Sequence, residues 1–208
     1  MARTEKRPPI KETLGSMSYC FDTPDEGESD YTGNYESNVI YLKTAKSAKV
    51  TENGDSSPVY ASGEEYATVN AVSSIDNEIE SVAFPAEDLA KMRGDAVSET
   101  GLIVSGASSD RPFFAWGKTV KLRGGKNRYV WYPKCRLTSN TDDASTKEES
   151  FSEQNDTVTI RAYPFDEEGN IFVEANESIK TFEGLTEDKF FSTVIRTDAD
   201  FKKILGKE

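Results

Sequence analysis

The 208-residue sequence contains no histidine and only two cysteines. Without histidine it lacks the commonest general base, the Ser–His and Cys–His pairs, and zinc sites with imidazole ligands. Cys20 and Cys135 stand far apart with no CxxC spacing, and they read as two reduced thiols. No long apolar run is present to span a bilayer, and the charged N-terminus MARTEKRPPI is followed by no signal-peptide core. The expectation is a protein made and kept in a cytosol, with no membrane partner. An enzyme built from this chain would depend on carboxylates, lysine or tyrosine. With 37 acids, carboxylate pairs arise by chance and identify no hydrolase without geometry. No cofactor or metal motif is present, and an EF-hand reading of residues 22–37 fails because Pro24 sits where a ligand is needed.

Basic residues are also scarce relative to acids, 25 against 37, for a net charge of −12. That balance weighs against free-standing nucleic-acid binding and against attraction to anionic membranes. The length suits one domain with a substantial core, with arms attached.

The elements that are present read mainly as strands. Residues 1–16 are polar with Pro8-Pro9, and are expected to form an N-terminal arm. Asn38–Tyr41 can open a strand. Residues 44–63 are nearly devoid of large apolar side chains, and Asn53-Gly54 signals a hairpin turn between Ala48–Val50 and Pro58–Tyr60. This reads as a long excursion from the body. Alternation of Val69, Ala71, Ser73 and Ile75 continues as strand. The clearest helix covers residues 85–93: Pro85 suits its start, Glu87 and Asp88 its positive end, and Gly94 a left-handed cap. Ala86, Leu89, Ala90 and Arg93 share its face.

Residues 138–156 are polar, Thr157–Tyr163 reads as strand, and 166–170 as a turn. Weak helices are expected at Glu187–Thr193 and Asp198–Leu205, with Thr186 and Thr197 as caps. The pattern predicts an antiparallel β domain over 17–178, an antiparallel β-sandwich or half-barrel with one short flanking α-helix. Residues 179–208 form a C-terminal arm.

Residues 113–137 (FFAWGKTVKLRGGKNRYVWYPKCRL) stand apart, with both tryptophans, seven Lys/Arg and no acid. Aromatics and cations exposed together would make a stacking platform for single-stranded nucleic acid. Arg123–Asn127 supplies a turn, and strict alternation beyond it places Tyr129, Trp131, Cys135 and Leu137 on one face. Arg128, Lys134 and Arg136 fall on the other, with Val130 and Tyr132. The aromatic face can therefore pack inward. The cations then call for acidic partners, which neighbouring copies of this acidic chain would supply.

Three segments taken in order carry a family resemblance. They are FPAEDLAKMRG (84–94), RPFFAWG (111–117) and GKNRYVW (125–131), with a Gly-Leu-Ile-Val segment between the first two. They resemble the major tail proteins of long, non-contractile-tailed bacteriophages over roughly residues 38–177. The segment from Thr146-Lys147-Glu148 to Tyr163 resembles the strand that follows in that family. The resemblance implies a non-enzymatic tail-tube subunit without cofactors. Six copies would form a ring, and rings would stack into a tube in the virion, assembled in the host bacterial cytoplasm. Its partners would be itself, the tape-measure protein, and the tail terminator and distal tail proteins, with viral DNA passing through.

On this reading the 44–63 excursion reaches the next ring, with Lys49, Val50, Asn53, Asp55, Val59 and Tyr60 as contacts. Arg128, Lys134 and Arg136 contribute to subunit interfaces, and Glu148, Glu149 and Glu153 face the lumen. Relatives often carry an additional C-terminal immunoglobulin-like domain, and the sequence here is too short to include one. Two other readings stand beside it. A single-stranded nucleic-acid module requires exposed hairpin aromatics, and a carboxylate-dependent hydrolase requires a perturbed carboxylate pair in a cleft.

Overall fold

Period-two alternation along the strands builds one curled antiparallel main sheet. The computed structural model describes residues 7–24, 30–61, 64–106, 110–142, 146, 155–179, 182 and 184–207, with backbone alone for 55–61 and 64–70. In chain order the elements are β1 (Lys11–Phe21), β2 (Ile40–Leu42), β3 (Ala45–Ala61), β4 (Glu64–Ser81), α1 (Ala86–Arg93), β5 (Ala96–Val97) and β6 (Ile103–Val104). These are followed by β7 (Phe114–Leu122), β8 (Lys126–Asp142), β9 (Asp156–Ala162), β10 (Val173–Asn176), α2 (Glu187–Phe190) and α3 (Asp198–Leu205). The main sheet runs β2-β1-β7-β8-β9-β4-β3, and β10 pairs with the first part of β8. Every pairing is antiparallel. The mainly β class expected from the sequence is the class observed.

The sheet curls because one core draws on both ends of its strand order. Met17, Tyr19 and Phe21 of β1 meet Ile75 and Ile79 of β4, together with inward residues of β7, β8 and β9. β1 and β3, near opposite ends of that order, come into contact. The result is a half-barrel with one core on the concave face. Helix α1 closes one end, burying Ala90 and Met92. Pro85 takes the N-cap position, and Gly94 ends the helix in the left-handed conformation (φ 76°), where a β-carbon would be strained. Tyr19 donates from its hydroxyl to Asp88 at 2.7 Å, tying the helix to β1.

Four expectations change. Asn53-Gly54 is no turn: β3 continues through it, with a register shift against Ser74 and Val72, and the hairpin reverses only after Ala61. A two-residue turn signal loses here to a ladder that continues on both sides. Residues 11–16, grouped with an arm, form the first half of β1 and pair with Val120–Leu122 of β7. Residues 184–205 lie against the sheet: Phe190, Phe191, Val194 and Ile195 are buried with Cys20, Ala115, Tyr129 and Trp131 on the convex face. Two short helices and the apolar residues between them supply the cover that this face requires. Thr197 caps α3 through a reciprocal pair with Asp200, whereas Thr186 makes no side-chain cap bond to α2.

The fourth change is in the 113–137 hairpin. Its turn lies where the sequence placed it, with Gly124 (φ 95°) and Gly125 (φ 72°) between Leu122 and Lys126. Its alternation does not hold. Phe114 pairs with Cys135 but Trp116 with Tyr132, so β8 carries one extra residue at Pro133-Lys134. That bulge reverses the faces beyond it. Tyr129 and Trp131 belong to the convex core, while Val130, Tyr132, Cys135 and Leu137 belong to the concave one. β8 is therefore buried on both sides. Cys20 and Cys135 sit in separate cores as free thiols.

Candidate assembly surfaces

The hairpin arms β3 and β4 are long, 17 and 18 residues. Among the described residues, only Ile75–Ser81 of β4 pairs with the body, through β9. From Asn53 to Ala61 and from Glu64 to Ser74 the two strands pair, among the described residues, with each other alone. The outer part is thus a free two-stranded ribbon. Such a ribbon is marginal by itself in water, and β3 forms an open edge of main-chain donors and acceptors. Lys49 points outward and faces Glu78 across the pair at 3.7 Å, with both side chains well exposed. Val50 points to the concave side and is exposed. Asn53 donates to Asp76 at 2.8 Å. Asp55, Val59 and Tyr60 lie in the ribbon's backbone ladder, opposite Ala71, Ala67 and Glu65.

A second surface is the outward face of β8-β9-β4-β3. Ser47, Lys49 and Thr51 stand opposite Glu80, Glu78 and Asp76, which stand opposite Thr157, Thr159 and Arg161. Ser139 and Thr141 continue the row. This four-strand face is polar throughout. Arg161 donates to both carboxylate oxygens of Asp76, at 2.7 and 3.0 Å. That paired guanidinium holds the Asp76 carboxyl below its ordinary range. Arg161 and Lys49 are thereby engaged by acids of the same face.

Arg128, Lys134 and Arg136 do not act together. Arg128 lies before the bulge and turns to the concave side, pairing with Glu174 at 3.4 Å. Lys134 lies over the rings of Tyr31 and Phe113, at 5.1 and 5.3 Å. The Arg136 guanidinium stacks at 3.7 Å on Phe113. Glu148, Glu149 and Glu153 lie outside the described residues.

One surface had only a faint signal in the sequence, the Gly-Leu-Ile-Val run. β5 and β6 form a separate two-stranded ribbon bearing exposed Val97, Leu102 and Val104. Clustered exposed aliphatics of this kind mark contact sites more often than scattered ones do.

The aromatics required for a stacking platform are inaccessible. Trp116, Tyr129 and Trp131 are all but fully buried. Tyr129 stacks on Phe190 with centroids 5.4 Å apart, Trp131 meets Phe191 at 5.1 Å, and its indole donates to the Phe190 carbonyl at 3.3 Å. The hairpin reading as a nucleic-acid platform is corrected accordingly. Among the described residues no group of three or more Cys, Asp or Glu is placed to hold a metal. The shifted carboxylates Asp76, Asp166 and Asp200 are all lowered, opposite to the direction a general acid requires. No helix among the described residues is long and apolar enough to cross a membrane.

No family model matches the sequence, and no curated protein does. Among solved structures, a chain of the six-fold symmetrised cryo-EM structure of the anti-feeding prophage (AFP) baseplate aligns with 84% of this chain and 100% of its own. The identity is 7% and the TM-score 0.44, too low to argue a shared fold or role.

Proposed function

We propose that this chain is a structural subunit that assembles with copies of itself into stacked six-membered rings, the tail tube of a long-tailed bacteriophage. The observation that carries the reading is the free β3–β4 ribbon with its open edge. A ribbon that is marginal alone gains stability by pairing or packing against another chain, and in a homo-oligomer that chain is a copy. The resemblance of residues 84–94, 111–117 and 125–131, in that order, to major tail proteins directs the assembly toward a tube.

In such a tube the polar β8-β9-β4-β3 face suits the lumen, since a strand face without apolar residues has to face water. Because Arg161 and Lys49 already face Asp76 and Glu78, the face offers no free row of cations to neutralise phosphate. DNA would pass over it without sticking. Glu148, Glu149 and Glu153 would extend the same wall. The tape-measure protein would fill the lumen before ejection, and terminator and distal proteins would cap the tube ends. Negative-stain microscopy of the concentrated protein tests this, with rings or tubes expected. A monomer that persists at all concentrations and salts would reject it.

A further inference from the structure

The mouth of the curled sheet holds a cavity of about 400 Å³, walled by the start of β1, the inner half of β3, β7, β8 and β10. Lys118 lies at its floor. On β7 the inward row runs Phe114, Trp116, Lys118, so alternation sends an ammonium where its two predecessors are core aromatics. Lys118 is only 3% exposed. Its Nζ lies 5.2 Å from the Trp116 ring and 5.6 Å from that of Tyr132. These ring faces help hold the cation, but they do not replace its lost hydration. Among the described residues no carboxylate forms an ion pair with it.

The other charged and titratable groups facing the cavity are Lys11 and Glu12 from β1, Glu52 from β3, Arg128 and Tyr132 from β8, and Glu174 from β10. Glu12 and Glu52 are exposed at the rim, and Glu174 is held by Arg128. Burial, aided by the like charges of Arg128 and Lys11 and opposed by Glu174, draws the Lys118 pKa down to about 7. A buried cation with no ion-pair partner lowers the stability of the chain that carries it. Position 118 would be more stable filled by an apolar residue.

We propose that the cavity receives an Asp or Glu side chain from a second copy of this chain, its carboxylate seated against Lys118 beside Arg128. The inference rests on the self-assembly reading and names the contact that completes it. The chain carries a surplus of acids, with a net charge of −12, so a copy of itself is a ready source of carboxylate. The cavity rim includes the inner half of β3, with exposed Val50, and so continues the open edge offered to a neighbour. A small carboxylate would find the same charge but would lack that flanking surface.

The contact requires the protonated amine, so it strengthens as pH falls through about 7 and weakens above it. From the protonated fraction, the association constant per contact falls about thirtyfold between about pH 6 and about pH 8.5.

The test compares the wild type with Lys118→Met, both checked for native circular dichroism. Association is measured by sedimentation from pH 6 to 8.5, and Lys118 acetylation by acetic anhydride is followed by mass spectrometry in monomer and assembly. The proposal expects the thirtyfold pH term in the wild type alone, and at least tenfold protection of Lys118 on assembly. Assembly with parallel pH profiles and an equally reactive Lys118 would overturn the socket and leave the tube reading standing. No assembly at any pH would bring down both. Protection of the monomer by millimolar acetate, with none added by assembly, would make this a small-carboxylate site and overturn the second-copy assignment.

Discussion

Lys118 destabilises the isolated subunit, and the sign of its pH effect can be worked out. Its folded pKa lies near 7 and its ordinary value is 10.5. Between these the unfolded chain binds the extra proton, so stability rises with pH through that window. Below pH 7 both states are protonated and the full cost is present. Lys118→Met is therefore expected to raise the melting temperature, most at pH 6 and progressively less toward pH 10. Other groups titrate in the same range, since burial pushes the Cys20 thiol up to about 11 and the Cys135 thiol higher still. The difference between variant and wild type removes them. Equal stabilisation at every pH would contradict the assignment. Gly117 is a second informative position: a β-carbon there would lie 2.6 Å from the Phe191 ring and 2.9 Å from the Trp131 ring. Gly117→Ala is expected to cost about 1–3 kcal/mol in chemical denaturation, because it lifts the C-terminal segment off the sheet.

Among the elements, the ribbon and the C-terminal cover separate assembly from folding. The cover is tied to the sheet by polar bonds as well as packing. Glu187 accepts from the Thr119 hydroxyl at 2.9 Å and also from Ser16. Shortening the hairpin so that Asn53 connects to Ser74 through an Asn-Gly turn removes only residues that pair within the ribbon. The shortened subunit is expected to melt within a few degrees of wild type and to lose assembly; unchanged assembly would show that the ribbon is not the contact. Leu102→Asp on the β5–β6 ribbon tests the exposed aliphatic patch, with weaker association and unchanged folding expected.

How far the sequence could be read also divides by element. Helix α1 was legible because Pro85, the Glu87-Asp88 pair and Gly94 each act within one or two turns. The glycine turn at 124–125 was legible for the same local reason. The bulge at Pro133-Lys134 was not, because it is defined only against the partner strand β7. It nevertheless decides that Arg128 faces the cavity while Lys134 and Arg136 reach Phe113. Gly54 misled in the other direction, since its local turn preference gives way to the ladder with β4. The site at Lys118 was hidden because a lysine between Gly117 and Thr119 carries no local mark of burial. Only the curl of the sheet, which brings β1 and β3 together over β7, gives it that setting.

For the whole molecule, an acidic subunit with a free ribbon, an open β3 edge and a water-facing four-strand surface fits the proposed role of one unit of a tube. Most of its buried aromatics serve two cores on opposite faces of one sheet, and the surfaces left over are those that assembly would use. Cryo-electron microscopy of the concentrated protein tests this most directly. The account predicts stacked six-fold rings in which the row Asp76, Glu78 and Glu80 lines a hydrated bore and the β3–β4 ribbon crosses to a neighbouring subunit. Particles that stay monomeric, or rings whose bore is lined by another face while the ribbon stands free in solvent, would contradict it.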